Sequence, residues 1–209
     1  MKPKLLVATR NAGKQREIRA LLADVPYEVV FPDDRGIWER PDEDGLEDAD
    51  SFEGNARRKA EYFARLSGLP TVAEDSGLEV FALGGAPGVR SRRFAFPALA
   101  DPAEQDAANN AELLRRLVGA PDDRRRARYR CVVCFLERHD GIPRVFEGSC
   151  LGRVLGAPAG TGGFGYDPLF HADDLGTSFG LATPKAKASV SHRGRAFRAF
   201  TEWLAARGP

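Results

Sequence analysis

The chain has 209 residues, 43% hydrophobic and 29% charged, and its 31 basic against 30 acidic side chains leave a net charge of +1. At about 100–200 residues per domain this predicts a single domain over residues 1–209, able to bury a core without a metal or disulfide staple. The near-neutral balance gives no global field for nucleic acid or an anionic membrane, no apolar run approaches the roughly 20 residues of a spanning helix, and three cysteines are too few for a secreted disulfide framework.

Lys4 to Ala8 is a short apolar run that predicts a buried first strand, and it stops at Thr9 and Arg10 too soon for a signal peptide. A cytoplasmic α/β protein is therefore expected. A helix follows Thr9–Lys14, with Ile18, Leu21 and Leu22 on one face, and Pro26 ends it. Glu28–Phe31 reads as a second strand and the acidic stretch Asp33–Asp50 as loop. Asp50 and Glu53 have the spacing of a capping box, opening a helix through Ala64 that Gly68 closes. Thr71–Ala73 and Leu78–Leu83 are expected as strands flanking Glu74-Asp75-Ser76-Gly77. Asp101-Pro102 opens a helix carrying Leu113, Leu114 and Leu117 and ending at Gly119. Tyr129–Glu137 and Arg144–Val154 read as paired strands, followed by a glycine-rich loop from Gly156 to Gly165 and a last helix with Phe197, Phe200 and Leu204 on one face. Alternating strands and helices with a late strand pair predict a mixed central β-sheet flanked by helices.

Several clusters are chemically loaded. Thr9 to Lys14 combines a hydroxyl, an amide, a lysine and a helix N-terminus, a ready anion site. It is not a Walker A loop, because Gln15 follows the lysine and Gly13 is its one glycine. Read alone, it fits a plain capped helix equally well. Glu74-Asp75 sets two carboxylates side by side, hard oxygen donors that suit Mg2+, with an acidic turn as the plain alternative. Gly160, Gly162 and Gly165 spell G-x-G-x-x-G, but Pro158 and Pro168 interrupt the strand and helix that a dinucleotide fold needs. The loop reads instead as a wall carrying Phe164, Tyr166 and Asp167, suited to a flat hydrogen-bonding ring unless the aromatics are simply core. Cys131 and Cys134, three apart on a strand, face opposite sides and cannot share a metal. The arginine run Arg124–Arg130 reads as a solvated, edge-protecting segment, with nucleic-acid binding as the sharper alternative. Lys187 with Ser191, His192 and Arg193 lacks the pattern of a nucleophilic triad and points to recognition.

Taken in order, these motifs resemble the inosine triphosphate pyrophosphatase family, which acts on non-standard purine nucleotides. The resemblance runs from Lys4 to about Leu204 through Thr9-x-Asn11-x-x-Lys14, Asn55-Ala56 with Lys59-Ala60, Glu74-Asp75-Ser76-Gly77-Leu78, Gly84–Gly88 with Ser91 and Arg93, Gly160–Pro168, and Ser191-His192-Arg193. It implies an elongated, two-lobed α/β domain with a central substrate cleft, forming a homodimer. It also implies Mg2+-dependent hydrolysis of ITP, dITP and XTP to monophosphate and pyrophosphate by water attack at the α-phosphorus, with no nucleic-acid or membrane partner. Carried over by position, Thr9, Arg10, Asn11, Ala12, Gly13, Lys14 and Lys59 would bind the triphosphate. Ser76, Phe164, Gly165, Tyr166, Asp167, Lys187, His192 and Arg193 would contact the rest of the substrate. Asp75 would be the catalytic group and a metal ligand, with Glu47 the second metal carboxylate. Counting back from Phe52 selects Glu47, whereas matching Glu-Asp-Gly selects Glu43. The family usually has Asp where this chain has Glu74. A pyrophosphatase for other modified nucleotides and a non-catalytic nucleotide- or RNA-binding module are the alternatives.

Overall fold

The computed structural model describes residues 2–207. Strands and helices follow in the order β1 (Lys4–Val7), α1 (Ala12–Leu21), β2 (Glu28–Val30), α2 (Phe52–Ser67), β3 (Thr71–Val80), α3 (Pro102–Arg116), β4 (Arg126–Leu136), β5 (Arg144–Val154), β6 (Phe170–Ala172), β7 (Thr177–Ser178), α4 (Pro184–Val190) and α5 (His192–Ala206). The strands make a seven-stranded sheet in the order β2-β1-β3-β4-β5-β6-β7. β1 runs parallel to β2 and β3, with Leu6 opposite both Val30 and Thr71, while β6 is antiparallel to β5 and β7. The sheet is mixed and helix-flanked, as the sequence predicts.

The chain divides into two compact units, one of residues 2–75, 131–148 and 193–207, the other of residues 76–130 and 149–192. The first unit is built by strand alternation. Leu5, Val7, Val72, Cys131, Val133 and Phe135 pack with Ile18 and Leu22 of α1 and with Phe197, Phe200 and Leu204 of α5. The intervening residues Leu6, Ala8, Ala73, Cys134 and Leu136 pack with Ala56, Ala60, Phe63 and Ala64 of α2. Successive strand side chains point to opposite faces, so runs apolar at every position are what a sheet covered on both sides requires. Cys131 and Cys134 fall in different clusters, as expected. In the second unit Leu78, Val80, Ala127, Tyr129, Cys150, Val154, Phe170 and Phe179 pack with Leu113 and Leu117 of α3.

Several local expectations are corrected. Glu74 and Asp75 do not lie in a turn between two strands. β3 runs unbroken through both, and Phe81–Leu83 is a 3₁₀ turn rather than the end of a strand. The cap of α2 is Ser51, whose hydroxyl accepts from the Gly54 amide at 3.1 Å, not Asp50, and Gly68 closes the helix in the left-handed conformation. The acidic stretch contains two 3₁₀ turns, Asp33–Arg35 and Pro41–Glu47. The last helix is α5, as expected, though it already begins at His192, and a short helix not read from the sequence, α4, precedes it. The arginine run enters β4, which lies between β3 and β5 and protects no edge. Arg126 pairs with Asp173 at 2.8 Å, Arg128 with Glu79 at 2.6 Å, and Arg125 donates to the carbonyls of Leu117 and Ala120.

Candidate functional site

In the first unit, α1 starts where β1 ends. Asn11 caps it by accepting from the Lys14 amide at 2.9 Å, and the Thr9 hydroxyl accepts from the Asn11 amide at 3.3 Å. The first turn carries no acidic residue, so nothing anionic of its own answers the positive end of the helix at Ala12 and Gly13. The Lys14 side chain reaches Glu74, Nζ to Oε1 at 2.8 Å. On the same carboxylate converge the Arg193 guanidinium at 3.4 Å and the Cys131 thiol, which donates to Oε2 at 3.4 Å. Arg193 also holds Glu17 at 2.6 Å. Burial of Glu74 works against its charge, but Lys14, Arg193 and Lys59 hold its carboxyl well below the usual range. Burial pushes the Cys131 thiol up, and the neighbouring Glu74 adds to this, so the sulfur stays protonated and acts as a donor.

Asp75 answers a different set of partners on the other face of β3. Asn55 and Lys59 lie one turn apart on α2 and so present side chains to the same place. Asn55 Nδ2 donates to Asp75 Oδ2 at 2.8 Å, while Asn55 Oδ1 accepts from the Ala49 amide at 2.8 Å. The Lys59 ammonium lies 2.6 Å from Glu47 Oε1 and 3.6 Å from Asp75 Oδ1, shared by the two carboxylates. Lys59 lowers the Glu47 carboxyl to about 2 against the opposing effect of burial. Burial opposes the Lys59 charge in turn, yet Glu47, Asp75 and Glu74 raise its pKa above the ordinary lysine value. Glu43 is turned elsewhere, onto Arg10, whose guanidinium meets its two oxygens at 2.8 and 2.7 Å. Of the two candidate glutamates it is Glu47 that stands with Asp75.

The second unit gathers another cluster. Asp167 opens the 3₁₀ turn Asp167–Leu169, and its Oδ2 takes the Lys187 ammonium at 2.5 Å and the Phe164 amide at 2.8 Å. Lys187 Nζ also lies 5.0 Å from the centre of the Phe164 ring and 5.4 Å from that of Phe179, in cation–π reach of both. Gly163 has φ +77°, and a Cβ there would fall 2.0 Å from Asp167 Oδ2, so glycine is required on both counts. The loop is tied to α3 at Gly165, whose amide donates to Asp106 at 2.7 Å and whose carbonyl accepts from Asn110 at 3.0 Å. Tyr166 is buried in the core with its hydroxyl donating to the Ser91 carbonyl at 2.8 Å, so its ring packs inward. His192 stacks on Tyr129, 4.4 Å between centres and 6° from parallel. Ser76 begins this unit's share of β3 and is half-buried. Within the Ser191-His192-Arg193 motif, His192 belongs to this unit and Arg193 to the other.

Glu17, Asp106 and Asn110 were not singled out from the sequence. Helical spacing carried a signal for each: Glu17 lies three residues after Lys14, and Asp106 and Asn110 are four apart on α3. The partner that each one holds is distant in sequence, and local spacing does not reveal it.

The sheet and these clusters define a class: an α/β protein whose lysines are held by buried carboxylates, Lys14 among them in the first turn of a helix. The Ham1 family model matches residues 5–203. The chain is 46% identical to a dITP/XTP pyrophosphatase of Syntrophobacter fumaroxidans, covering 97% of this chain and 85% of the relative. It is 42% identical to a protein of the same name from Shigella flexneri, covering 96% and 98%. Among solved structures, a HAM1 protein from Coxiella burnetii superposes with a TM-score of 0.84 at 30% identity over 98% of this chain and 99% of that one. A nucleoside-triphosphatase / dITP/XTP pyrophosphatase from Mycobacterium abscessus gives 0.71 at 39% identity over 94% and 98%. The chain belongs to the Ham1 family, and the resemblance read from its motifs is borne out.

Proposed function

We propose that the protein hydrolyses the non-standard purine nucleoside triphosphates ITP, dITP and XTP to monophosphate and pyrophosphate. The observation that carries this reading is Asp75, fixed by Asn55 and sharing the Lys59 ammonium with Glu47. The names of the relatives point the same way.

Mg2+ fits the donors present. Glu47 and Asp75 offer hard carboxylate oxygens at a place already occupied by one positive charge, and two carboxylates plus substrate phosphates is the usual way this ion is held. Among the described residues no group of three or more His, Cys, Asp or Glu could hold a metal by itself, so substrate oxygens would complete the shell. When bound, the ion supplies charge neutralisation on the phosphates and eases deprotonation of water. The chain's own residues do the rest. Thr9, Asn11 and the start of α1 at Ala12 and Gly13 receive phosphate oxygens, with Lys14 and Lys59 balancing charge. Asp75 takes the proton of the attacking water as its oxygen bonds to the α-phosphorus. The bond from that phosphorus to the bridging oxygen breaks and pyrophosphate leaves.

Recognition of the base is assigned to Phe164, Asp167, Lys187 and His192, with Ser76 and Gly165 as further substrate contacts and Tyr166 supporting the loop. A site built to donate to a 6-oxo group leaves that donor unpaired against the amino group of adenine, which can cost a factor on the order of 10⁴. Arg193, clamped by Glu17 and Glu74, is assigned to holding Glu74. A homodimeric, cytoplasmic enzyme belongs to the same reading; no helix among the described residues is long and apolar enough to cross a membrane. Asp75→Asn tests the central role. Its turnover should fall about 10²–10⁴-fold, as loss of a proton acceptor does, in a protein that still folds, since Lys59 keeps Glu47 as a partner. Full activity in this variant would remove Asp75 from the chemistry.

A further inference from the structure

Arg10 lies inside the phosphate loop, between Thr9 and Asn11, yet its guanidinium turns away from the helix N-terminus. Nε donates to Glu43 Oε2 at 2.8 Å, and Nη2 donates to Glu43 Oε1 at 2.7 Å and to the Ile37 carbonyl at 2.9 Å. Nη1 donates to Asp33 Oδ1 at 2.6 Å. A guanidinium has five N–H donors, and these bonds use four of them. The group also lies over the Phe63 ring of α2, 5.7 Å from its centre. Little of the side chain remains for a phosphate.

What Arg10 holds is the acidic segment. Glu43 and Glu47 belong to one 3₁₀ turn, Pro41–Glu47, so fixing the first constrains the second. The far side of Glu47 is fixed by Asn55, which accepts from the Ala49 amide while donating to Asp75. A further tie joins Tyr62 to Asp42, hydroxyl to Oδ1 at 2.8 Å. Asp33 and Glu43 would repel each other and open the segment without a cation between them. We infer that Arg10 is a positioning residue for the Glu47 carboxylate: its fork on Glu43 and its bond to Asp33 place the acidic segment so that Glu47 stands beside Asp75, ready to hold a divalent cation. The inference rests on the proposed metal-dependent reaction and assigns Arg10 to the metal side of it rather than to direct contact with the triphosphate.

Mn2+ binding to the protein saturated with a triphosphate analogue that carries a methylene between its α- and β-phosphorus, followed by the paramagnetic resonance signal of Mn2+ outside the protein complex, tests this apart from activity. Outer-shell partners of metal ligands typically account for about 10–100-fold in affinity. Arg10→Ala should weaken Mn2+ binding by that factor and Glu43→Gln should weaken it in the same direction. The double variant should be no weaker than Arg10→Ala alone, because the two side chains act as one unit. Arg10→Lys should restore only part of the loss, since an ammonium cannot make the fork. If Arg10→Ala does not fold, Glu43→Gln and Arg10→Lys carry the test. Mn2+ affinity within about twofold of wild type in the folded variants, with KM for the nucleotide raised in those at Arg10, would overturn the inference and make Arg10 a phosphate ligand. No Mn2+ taken up by the wild-type complex beyond what the free analogue holds would overturn the metal reading itself. The two failures are distinguishable because that one appears without any mutation.

Discussion

Glu74 and Asp75 are neighbours in sequence and point to opposite faces of β3, so each carboxylate meets its own cations: Lys14 and Arg193 for one, Lys59 for the other. Buried charges are tolerated only when so paired, and removing one partner leaves the other stranded. The sign of the acid response follows. Lys59 holds Glu47 at about 2, from 4.5, and despite its burial Glu74 is held well below its ordinary value. Below neutral pH these carboxylates bind fewer protons folded than unfolded. Their contribution to stability is therefore complete above the unfolded value near 4.5 and is lost as pH falls through the folded values. The urea midpoint should drop between about pH 5 and pH 3, and Glu47→Gln should make that drop shallower. A midpoint flat across this range would contradict the pairing. The two carboxylates were legible in the sequence as a chemical cluster. Their placement inside a continuous strand was not, because the partners that make a mid-strand carboxylate tolerable come from α1, α2 and α5.

At the scale of elements, apolar runs and caps predicted the strands and helices well where local chemistry decides. β5 was read with its observed limits, and Asp101 caps α3 by accepting from the Ala103 and Glu104 amides at 2.9 Å each. Prediction failed where distant partners decide. The acidic segment looks like loop by composition, and it forms 3₁₀ turns because Arg10 and Tyr62 tie it down. The glycine-rich loop was read as a wall rather than a dinucleotide motif, but that Asp106 and Asn110 of α3 anchor it does not follow from their spacing. Gly163 gives that loop a test. Gly163→Ala adds both a positive-φ strain of about 1–3 kcal/mol and a collision with Asp167, whereas Gly165→Ala, at φ +62° with nothing within 4 Å of the added carbon, adds strain alone. The first should lower the melting temperature further and raise KM for ITP, while the second should leave KM nearer to wild type. Equal effects would mean that Asp167 moves aside freely and that the loop does not depend on this contact.

For the whole molecule, the near-neutral charge and the mixed α/β sheet were legible from composition and from strand order. Membership of the family was legible from short motifs in the right order, each weak alone. The assignment of Arg193 to the base was not a matter of geometry, and the structure sets that side chain against Glu74 and Glu17. On the proposed reading this arrangement cleaves a nucleoside triphosphate at its α-phosphorus and prefers a 6-oxo purine. Product analysis of purified protein with ITP and ATP in parallel, with and without Mg2+, tests it most directly. IMP and pyrophosphate from ITP, little product from ATP and none without the metal are the predicted result. IDP and orthophosphate would place the attack at the γ-phosphorus and contradict the account.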